Sequence, residues 1–244
     1  MTANSDLTGR TALVTGGGVG IGAAVARRLA AAGVRVAVTY RTHPPTPEFT
    51  GIAVDACDDT QVRNAVEKTL ETLGSLDILV NNVGSLLTRA TLDTLDLTTW
   101  RSVLSVNLDS MFLFSHHAVG HLSRTGAGRV INVGSLAGHT GGHPGALAYA
   151  TAKAGVFGFT RALATELGPQ RITVNALAPG FIEATPFHDT FTTAESKQRT
   201  ISIIPAGRAG LPDDVAGAVA WLACDDAAFV NGAVIDVNGG QYFH

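Results

Sequence analysis

Cysteine and charge are both scarce in this chain of 244 residues. The two cysteines, Cys57 and Cys224, lie far apart and match no metal-binding or redox spacing, which fits a reducing compartment. Only 15% of the residues are charged, and a formal net charge of −3 offers no basic surface for nucleic acid. The composition therefore argues against a disulfide scaffold and against a nucleic-acid partner, and it favours a small-molecule partner.

Long hydrophobic runs are absent too. No stretch reaches the roughly eighteen apolar residues that a membrane-spanning helix needs, and the polar start at residues 1–9 lacks the pattern of a signal peptide. No linker rich in proline, glycine or serine divides the chain. We therefore expect a cytoplasmic protein without membrane contact, folded as one domain over residues 1–244.

What is present is an alternation of two patterns. Short runs of Val, Ile and Leu alternate with longer Ala-rich stretches whose apolar residues recur every three or four positions. This predicts the α/β class, as a doubly wound, Rossmann-like domain with a seven-stranded parallel sheet and helices on both faces. The predicted strands are 12–15, 35–39, 51–54, 78–80, 129–133, 173–178 and 233–237, and the predicted helices are 21–32, 60–73, 97–122, 149–167 and 212–223. Prolines exclude a regular helix from residues 41–50.

Glycines cluster directly after the first predicted strand, where residues 15–22 read TGGGVGIG. Glycine allows a sharp turn and lets backbone N–H groups approach a pyrophosphate at the positive end of the following helix. The alternative, a glycine-rich turn without a ligand, is disfavoured by the position between strand and helix. The segment predicts dinucleotide contacts by Gly16, Gly18, Val19, Gly20, Ile21 and Gly22.

Further motifs follow in a fixed order. They are NNVG at residues 81–84, Asn107 in a helical stretch, Ser135 after the fifth strand, Tyr149 four positions before Lys153, and Pro-Gly at 179–180. With the TGxxxGxG spacing, this order resembles the short-chain dehydrogenase/reductase family over about residues 7–240. The resemblance implies an oxidoreductase that moves a hydride between a nicotinamide cofactor and a carbonyl or alcohol. It also implies cofactor contacts by Asn82, Val83, Gly84, Tyr149, Lys153, Pro179, Gly180 and Ile182.

The end of the second strand predicts which cofactor binds. In dinucleotide folds, a carboxylate roughly twenty residues past the glycines holds the ribose 2′-OH of NAD. Here that position is Tyr40, and Arg41 follows. A guanidinium can hold a 2′-phosphate that a carboxylate would repel, so the sequence favours NADP(H). The alternative is a solvated Arg41, since the family's frequent basic residue within the glycine segment is Val19 here.

Residues after the third strand also belong to the expected cofactor site. The resemblance implies that Asp55 accepts a hydrogen bond from the adenine amino group, with Ala56 beside it. The alternative is an aspartate that only shapes a turn.

Tyr149 and Lys153 carry the expected chemistry. Four residues apart on a helix, they share one face, with about 5–6 Å between their Cβ atoms. A nearby ammonium favours the phenolate, so the spacing predicts a lowered pKa for Tyr149, which would donate a proton to the carbonyl oxygen. The resemblance implies that Lys153 holds the nicotinamide ribose, Ser135 bonds the substrate oxygen, and Asn107 supports a water linked to Lys153. Taken singly, Tyr149 and Lys153 would be a half-buried aromatic and a solvated cation.

Two segments depart from the family pattern. Ser135 and Tyr149 are fourteen positions apart, one more than in many members, so residues 138–145 are expected to bulge at the pocket. His139 and His143 in this loop would meet either substrate or solvent.

After the Pro-Gly pair, the threonine that in the family often contacts the nicotinamide carboxamide falls at Ala184. Either Thr185 makes this contact after a backbone shift, or the backbone of Ile182 makes it.

Three histidines, His116, His117 and His121, suggest a metal, but no carboxylate or further ligand accompanies them in sequence. We expect no metal site.

Residues 204–215 and 234–240 resemble the C-terminal signatures of the family's bacterial 3-oxoacyl-carrier-protein reductases and polyketide ketoreductases. We therefore expect an NADPH-dependent reductase of a 3-oxoacyl thioester or polyketide-type ketone, whose substrate is either carrier-bound or free. Reduction of a small free ketone is the alternative, and a non-catalytic NADP-binding sensor is a remote one. An acidic carrier would need a basic patch, for which Arg124, Arg129 and Arg171 are weak candidates.

Two further expectations concern the lid and the assembly. Residues 185–205 should form a lid over the substrate, using Phe187, His188, Phe191, Ile201 and Ile203. A homotetramer is expected from apolar helix residues and from the C-terminal strand and tail at residues 233–237 and 241–244. The helix residues are Met111, Phe112, Phe114, Phe157 and Phe159. The alternative is that they complete the monomer core.

Overall fold

A seven-stranded, all-parallel sheet organises the computed structural model, which describes residues 7–122, 124, 126–186, 190 and 193–243. The strand order is β3-β2-β1-β4-β5-β6-β7, so the chain changes direction across the sheet between β1 and β4. In open parallel sheets, such a switch leaves a crevice at the carboxyl ends of the strands. The strands are β1 (Thr11–Val14), β2 (Arg35–Tyr40), β3 (Thr50–Ala53), β4 (Ile78–Asn81), β5 (Arg129–Val133), β6 (Thr173–Pro179) and β7 (Val234–Val237).

Helices connect the strands and pack on both faces of the sheet. They are α1 (Gly20–Ala31), α2 (Asp59–Leu73), α3 (Leu97–Leu104), α4 (Ser110–Leu122), α5 (Ala137–Thr140), α6 (Leu147–Leu167), α7 (Ala194–Ser202) and α8 (Pro212–Ala223). Helices α1 and α8 bury one side of the sheet in a common apolar cluster. Helices α2, α4 and α6 contribute to the cluster on the other side. The predicted fold class, a seven-stranded parallel sheet with helices on both faces, is confirmed.

One predicted helix is wrong as a continuous element. The stretch Leu97–Leu122 is divided into α3 and α4 by a π-helical turn at Ser105–Asp109. Within this turn, the Nδ2 atom of Asn107 donates to Val103 O at 2.8 Å and to Ser85 O at 2.7 Å. The side-chain amide therefore bonds both the helix backbone and the loop after β4. A π-helical turn contains one residue more than an α-helical turn, and the periodicity of apolar residues in the sequence does not reveal it.

Most of the helix residues expected to mediate assembly complete the monomer core instead. Met111, Phe114 and Phe157 are all at most 5% exposed in one chain. Phe112 is half exposed and stacks on His116, and Phe159 is half-buried. The expectation was wrong for the first three, because α4 and α6 use these side chains to cover the sheet.

Within the described ranges, no helix is both long and apolar enough to cross a bilayer.

Candidate active site

A cavity of about 760 Å³ opens at the carboxyl ends of the strands, where the sheet topology predicts a binding crevice. Its lining runs from the glycine segment and the end of β2, past the end of β4, to Ser135, Tyr149, Lys153 and the segment after β6. The sequence-predicted residues that line it are Gly16, Val19, Gly20, Ile21, Tyr40, Arg41, Asp55, Ala56, Asn82, Val83, Gly84, Ser135, Tyr149, Lys153, Pro179, Gly180 and Ile182.

Gly18 and Gly22 do not line the cavity, but they permit the tight turn of the glycine segment. A Cβ on Gly22 would lie 2.3 Å from Gly16 O, and one on Gly18 would lie 1.8 Å from His43 O. No side chain fits at those distances, so the β2–β3 loop can fold against the glycine segment only while Gly18 is present. This loop contact was missed in the sequence, because it joins segments that are distant along the chain.

Thr15, at the end of β1, connects the glycine segment to the NNVG motif. Its Oγ1 accepts hydrogen bonds from Asn82 N at 2.9 Å and Val83 N at 3.2 Å. In return, Asn82 Nδ2 donates to Thr15 O at 3.0 Å and to Gly16 O at 3.1 Å. The two motifs therefore form one rigid backbone surface beneath the cavity.

At the outer end of this surface, Arg41 forms an ion pair with Asp55, with 3.6 Å between Nη2 and Oδ2. Arg41 is exposed, and Asp55 is partly buried. The other carboxylate oxygen of Asp55 accepts from Cys57 N at 3.0 Å, so Asp55 also shapes the local turn. Arg41 and Asp55 thus lie together where the second and third strands end.

Tyr149 and Lys153 project from the first turns of α6 toward the same part of the cavity. Lys153 Nζ lies 5.6 Å from the centroid of the Tyr149 ring and donates to Val133 O at 2.9 Å. Lys153 is buried and Tyr149 is half-buried. The Ser135 hydroxyl, which follows β5, hydrogen-bonds with the Tyr149 side chain. The structure therefore brings these three residues together.

Asn107 does not line the cavity but lies directly behind it. Its Oδ1 accepts from Ser85 N at 3.2 Å. A Cβ on Gly84 would lie 2.7 Å from Asn107 Oδ1 and 2.8 Å from Lys153 Nζ. Because Gly84 has no side chain, the Asn107 amide and the Lys153 ammonium can both approach its backbone.

The pKa values of Tyr149 and Lys153 are shifted by burial. Desolvation raises the pKa of Tyr149 to about 12, although the hydrogen bond from Ser135 opposes the shift. Desolvation lowers the pKa of Lys153 to about 8. The expected lowering of the Tyr149 pKa is wrong for this structure, because the loss of water around the phenol is the largest cause of its shift and raises the value. Tyr149 is therefore protonated at neutral pH.

The segment after β6 brings Thr185, and not Ala184, to the cavity. Ala184 adopts a left-handed conformation with φ of 55°, and Thr185 is buried and lines the cavity. Thr185 Oγ1 donates to Ile182 O at 3.2 Å. Of the two alternatives, the geometry favours a backbone shift that substitutes Thr185. The lid positions Phe187, His188 and Phe191 lie outside the described residues, whereas Ile203 lines the cavity.

Several sequence candidates are placed elsewhere. Arg129 is buried and bonds to Ala127 O, Gly128 O and Asp225, so it belongs to no surface patch. His139 is stacked between Phe157 and Tyr242, with ring centroids 4.5 and 5.5 Å away.

Two of the three histidines of α4, His116 and His117, have protein partners. His117 Nε2 lies 2.7 Å from Asp59 Oδ1, and His116 stacks on Phe112. Among the described residues, no group of three or more histidines, cysteines or carboxylates is arranged to hold a metal.

The substrate side of the cavity contains residues that sequence reasoning missed. They come from the loop after β4, from α3, from the residue before α6 and from the tail. They include Leu86, Leu87, Arg89, Ser102, Ala146 and Gln241. No motif marks them, because loops far apart in sequence meet only in the folded chain. Thr140, Ser196 and Thr200 also line the cavity, and they belong to the segments 138–145 and 185–205 that the sequence analysis placed there.

Comparisons with known proteins agree with this arrangement. The sequence profile described as "Enoyl-(Acyl carrier protein) reductase" matches residues 17–242. Acetoacetyl-CoA reductase of Shinella zoogloeoides is 39% identical over 241 residues, covering 96% of this chain and 99% of the relative. The 3-oxoacyl-(acyl-carrier-protein) reductase of Escherichia coli is 36% identical over 244 residues, covering 96% and 98%. A crystal structure of a putative short-chain alcohol dehydrogenase from Sinorhizobium meliloti superposes with a TM-score of 0.89 at 33% identity, covering 97% and 98% of the two chains.

The fold and the cavity define a dinucleotide-binding oxidoreductase that acts on CH–OH or C=O groups. The chain belongs to the short-chain dehydrogenase/reductase family, which implies a nicotinamide cofactor.

Proposed function

We propose that this chain is an NADPH-dependent ketoreductase that converts a ketone to a secondary alcohol, with Tyr149 as the proton donor. The observation that carries the proposal is the meeting of Ser135, Tyr149 and Lys153 at one cavity with the glycine segment. The glycine cradle, where a Cβ at Gly18 or Gly22 would collide with backbone oxygen, fits a closely held pyrophosphate. A non-catalytic sensor would need the cradle but not the acid/base group.

In this mechanism, the nicotinamide supplies the hydride and the protein supplies the proton. Ser135 donates a hydrogen bond to the substrate oxygen and fixes its distance from the Tyr149 hydroxyl. Tyr149, protonated because burial raises its pKa to about 12, donates its proton as the oxygen gains charge. Lys153 holds the nicotinamide ribose and stabilises the phenolate that remains. Asn107 keeps the π-helical turn and the loop at Ser85 in place, and it supports a water that links Lys153 to solvent.

The preference for NADP(H) rests on the end of β2. Tyr40 provides no carboxylate there, and the exposed Arg41 lines the cavity beside it. Binding of a 2′-phosphate would exchange the Asp55 partner of Arg41 for a doubly charged one. Asp55 would then be available to the adenine amino group.

The proposed substrate is a 3-oxoacyl thioester or a similar polyketide-type ketone. Similar proteins include an acetoacetyl-CoA reductase and a 3-oxoacyl-(acyl-carrier-protein) reductase, which supports a thioester. The burial of Arg129 argues against an acidic protein carrier, because only Arg124 and Arg171 of the candidate patch are exposed, and it favours the alternative of a small free ketone.

We further propose one catalytic domain over residues 1–244, with residues 185–205 as the lid, and a homotetrameric assembly. Exposed apolar side chains support the assembly, namely Phe112, Trp221, Phe229 and Phe243. Light scattering at micromolar concentration tests it, and a monomer mass would contradict it.

Oxidation of NADPH, followed by absorbance with a panel of 3-oxoacyl thioesters, diketones and simple ketones, tests the activity. We expect turnover that requires both ketone and NADPH. Tight NADPH binding without turnover of any ketone would contradict the proposal and favour the sensor.

A further inference from the structure

The C-terminal tail contributes one side chain to the cavity, that of Gln241, which is half-buried. The tail folds around the buried Asn238. Asn238 O accepts from Gln241 N at 3.1 Å, and Asn238 Nδ2 donates to Tyr242 O at 3.1 Å. Asn238 Oδ1 accepts from Gly240 N at 2.9 Å. The backbone on both sides of Gln241 is therefore fixed, although the proposed hydride and proton transfer does not use this residue.

The side-chain carboxamide of Gln241, here called the tail amide, has one end engaged and one end open. Its Oε1 accepts a hydrogen bond from Phe181 N at 3.3 Å. A backbone N–H can only donate, so the amide oxygen must be the atom that faces it, and this contact settles the orientation of the NH₂ group. Within the part of the chain that the structure describes, no group accepts a hydrogen bond from Nε2. The tail amide therefore brings an unused neutral donor to the cavity.

The close approach of the tail depends on Gly180. A Cβ at this position would lie 2.8 Å from Gln241 Oε1 and 2.9 Å from Asn238 Cβ. Side chains do not pack at such distances, so only glycine lets the tail lie against the segment after β6. Gly180 N also donates to Val237 O at 3.0 Å, which continues the pairing of β6 with β7. The tail amide is therefore held against a backbone that is itself part of the sheet.

Two contacts join the tail and the segment after β6 to the segment that carries Ser135. Leu136 N donates to Pro179 O at 2.8 Å, so the segments after β5 and β6 are bonded to each other. The ring of His139 stacks on that of Tyr242, with 5.5 Å between the centroids and 15° between the planes. Both contacts hold the tail amide on the Ser135 side of the cavity, and a preorganised donor loses little entropy when it binds a ligand.

We propose that the tail amide binds a second carbonyl oxygen of the substrate, so that Gln241 selects ketones with a further carbonyl close to the one that is reduced. The second carbonyl of a diketone, or the thioester carbonyl of a 3-oxoacyl chain, accepts a hydrogen bond from Nε2 while Ser135 holds the reacting oxygen. A substrate without that carbonyl leaves the donor unpaired once it displaces water, which weakens its binding. The inference rests on the proposed ketoreductase activity.

The nicotinamide carboxamide is the other group that a donor at this place could meet. It already has proposed partners in Thr185 and Ile182, which are bonded to each other at 3.2 Å. The cofactor therefore does not need the tail amide, and the substrate is the partner that we assign to it.

Matched substrates test this assignment. The first pair is acetylacetone and methyl propyl ketone, which share a carbon chain and differ in the second carbonyl. The second pair is ethyl acetoacetate and its ether analogue, in which CH₂ replaces the ester carbonyl. Gln241→Glu keeps an oxygen for Phe181 N and removes the amide donor. We expect it to lower kcat/KM about tenfold more for the dicarbonyl member of each pair than for the monoketone, the factor of one lost hydrogen bond.

Gln241→Met is the neutral companion variant, because it removes the donor without adding a charge. It should show the same selective loss. A selective loss in Gln241→Glu alone would overturn the proposal, because the added charge and not the missing donor would then be its cause. Equal losses for both members of each pair would also overturn it while leaving the ketoreductase proposal intact, and a raised KM for NADPH would then assign the tail amide to the nicotinamide.

The control variant is Gln170→Glu, which makes the same chemical change at an exposed glutamine that does not line the cavity. It should keep the wild-type ratio of kcat/KM within each pair.

If no ketone is reduced, the activity proposal fails, and the tail amide is tested by binding alone. Acetylacetone and methyl propyl ketone are titrated into the complex with NADP⁺ and followed by saturation-transfer NMR. Tighter binding of acetylacetone that is lost in Gln241→Glu supports the assignment. Equal affinity for the two ketones, or no binding of either, overturns it.

Discussion

The two ends of the cavity are built on different principles. At the cofactor end, backbone approaches backbone, and the glycine segment tolerates no added Cβ against Gly16 O or His43 O. At the substrate end, side chains from separate loops face one another, and the backbone includes non-glycine residues with positive φ at Leu87 and Ala184. Backbone atoms can hold a cofactor group that many enzymes share. Side chains select the substrate, which differs between enzymes.

The largest expected effect separates chemistry from cofactor binding. Tyr149→Phe should lower turnover roughly a hundredfold to ten-thousandfold, because it removes only the transferable proton. NADPH affinity, measured by fluorescence titration, should stay within about twofold, since the aromatic ring remains. Lys153→Ala should damage both quantities. Retention of most activity by Tyr149→Phe would show that another group supplies the proton.

The next largest effect is expected from adding a side chain to the glycine segment at the cofactor end. Gly18→Ala places a Cβ against His43 O and must displace the β2–β3 loop, so NADPH binding should weaken by more than tenfold. The matched control is Gly217→Ala in α8, where an added Cβ has nothing within 4 Å. That control should bind NADPH normally and gain up to about 1 kcal/mol of stability. Equal binding by both variants would contradict the close-approach argument.

The choice between NADPH and NADH should depend on the side chain of Arg41. Arg41→Ala should raise the KM for NADPH about tenfold and leave that for NADH nearly unchanged, because only the 2′-phosphate loses a partner. Steady-state kinetics with both cofactors measure the difference. The control is Arg35→Ala, an exposed arginine at the start of β2. Equal kcat/KM for NADPH and NADH in the unmodified protein would refute the preference.

A smaller effect concerns pH. Burial lowers the pKa of Lys153 to about 8, so its ammonium is lost as the pH rises through that value, while Tyr149 stays protonated up to about 12. Reductive kcat/KM should therefore fall about fourfold between pH 7 and 8.5. Lys153→Arg, although slower, should lack this limb, because guanidinium does not titrate there. A flat profile to pH 9 in the unmodified protein would speak against a catalytic ammonium.

The lowered pKa of Lys153 also makes the free energy of unfolding depend on pH. Unfolded Lys153 keeps its proton to about pH 10.5, so between pH 8 and 10.5 the unfolded chain binds more protons than the folded one. Its contribution to the free energy of unfolding rises with pH in that window. Denaturant titrations of the unmodified protein and Lys153→Met across the window isolate this contribution.

The smallest effect tests strain at the substrate end. Ala184→Gly removes the cost of a left-handed alanine, about 1–2 kcal/mol, and adds the greater entropy of unfolded glycine, so a net gain of up to about 1 kcal/mol is expected. Ala218→Gly, in α8, should instead lose about 1 kcal/mol. Urea denaturation measures both. A destabilised Ala184→Gly would show that the alanine methyl is needed at this turn.

The difference between the two ends also explains which features could be predicted. Strands β1, β4, β5 and β6 were predictable because they are buried along their whole length, and runs rich in Val, Ile and Leu mark such parallel strands. The break in Leu97–Leu122 was not, because the Asn107 amide bonds to a loop 22 residues away. The lowered pKa expected for Tyr149 was wrong for a related reason, since spacing reveals a neighbouring charge but not how much water burial removes.

The sequence by itself determined the α/β class, the order of the motifs and the residue types at the acid/base pair, because these depend on local periodicity and short spacings. Only the tertiary structure decided that the buried Arg129 pairs with Asp225, that Thr185 rather than Ala184 reaches the cavity, and that Arg89 bonds to Pro144 O in the loop before α6. Each of these depends on packing between segments far apart in the chain. The energy of such contacts is set by burial and geometry, which no local pattern encodes.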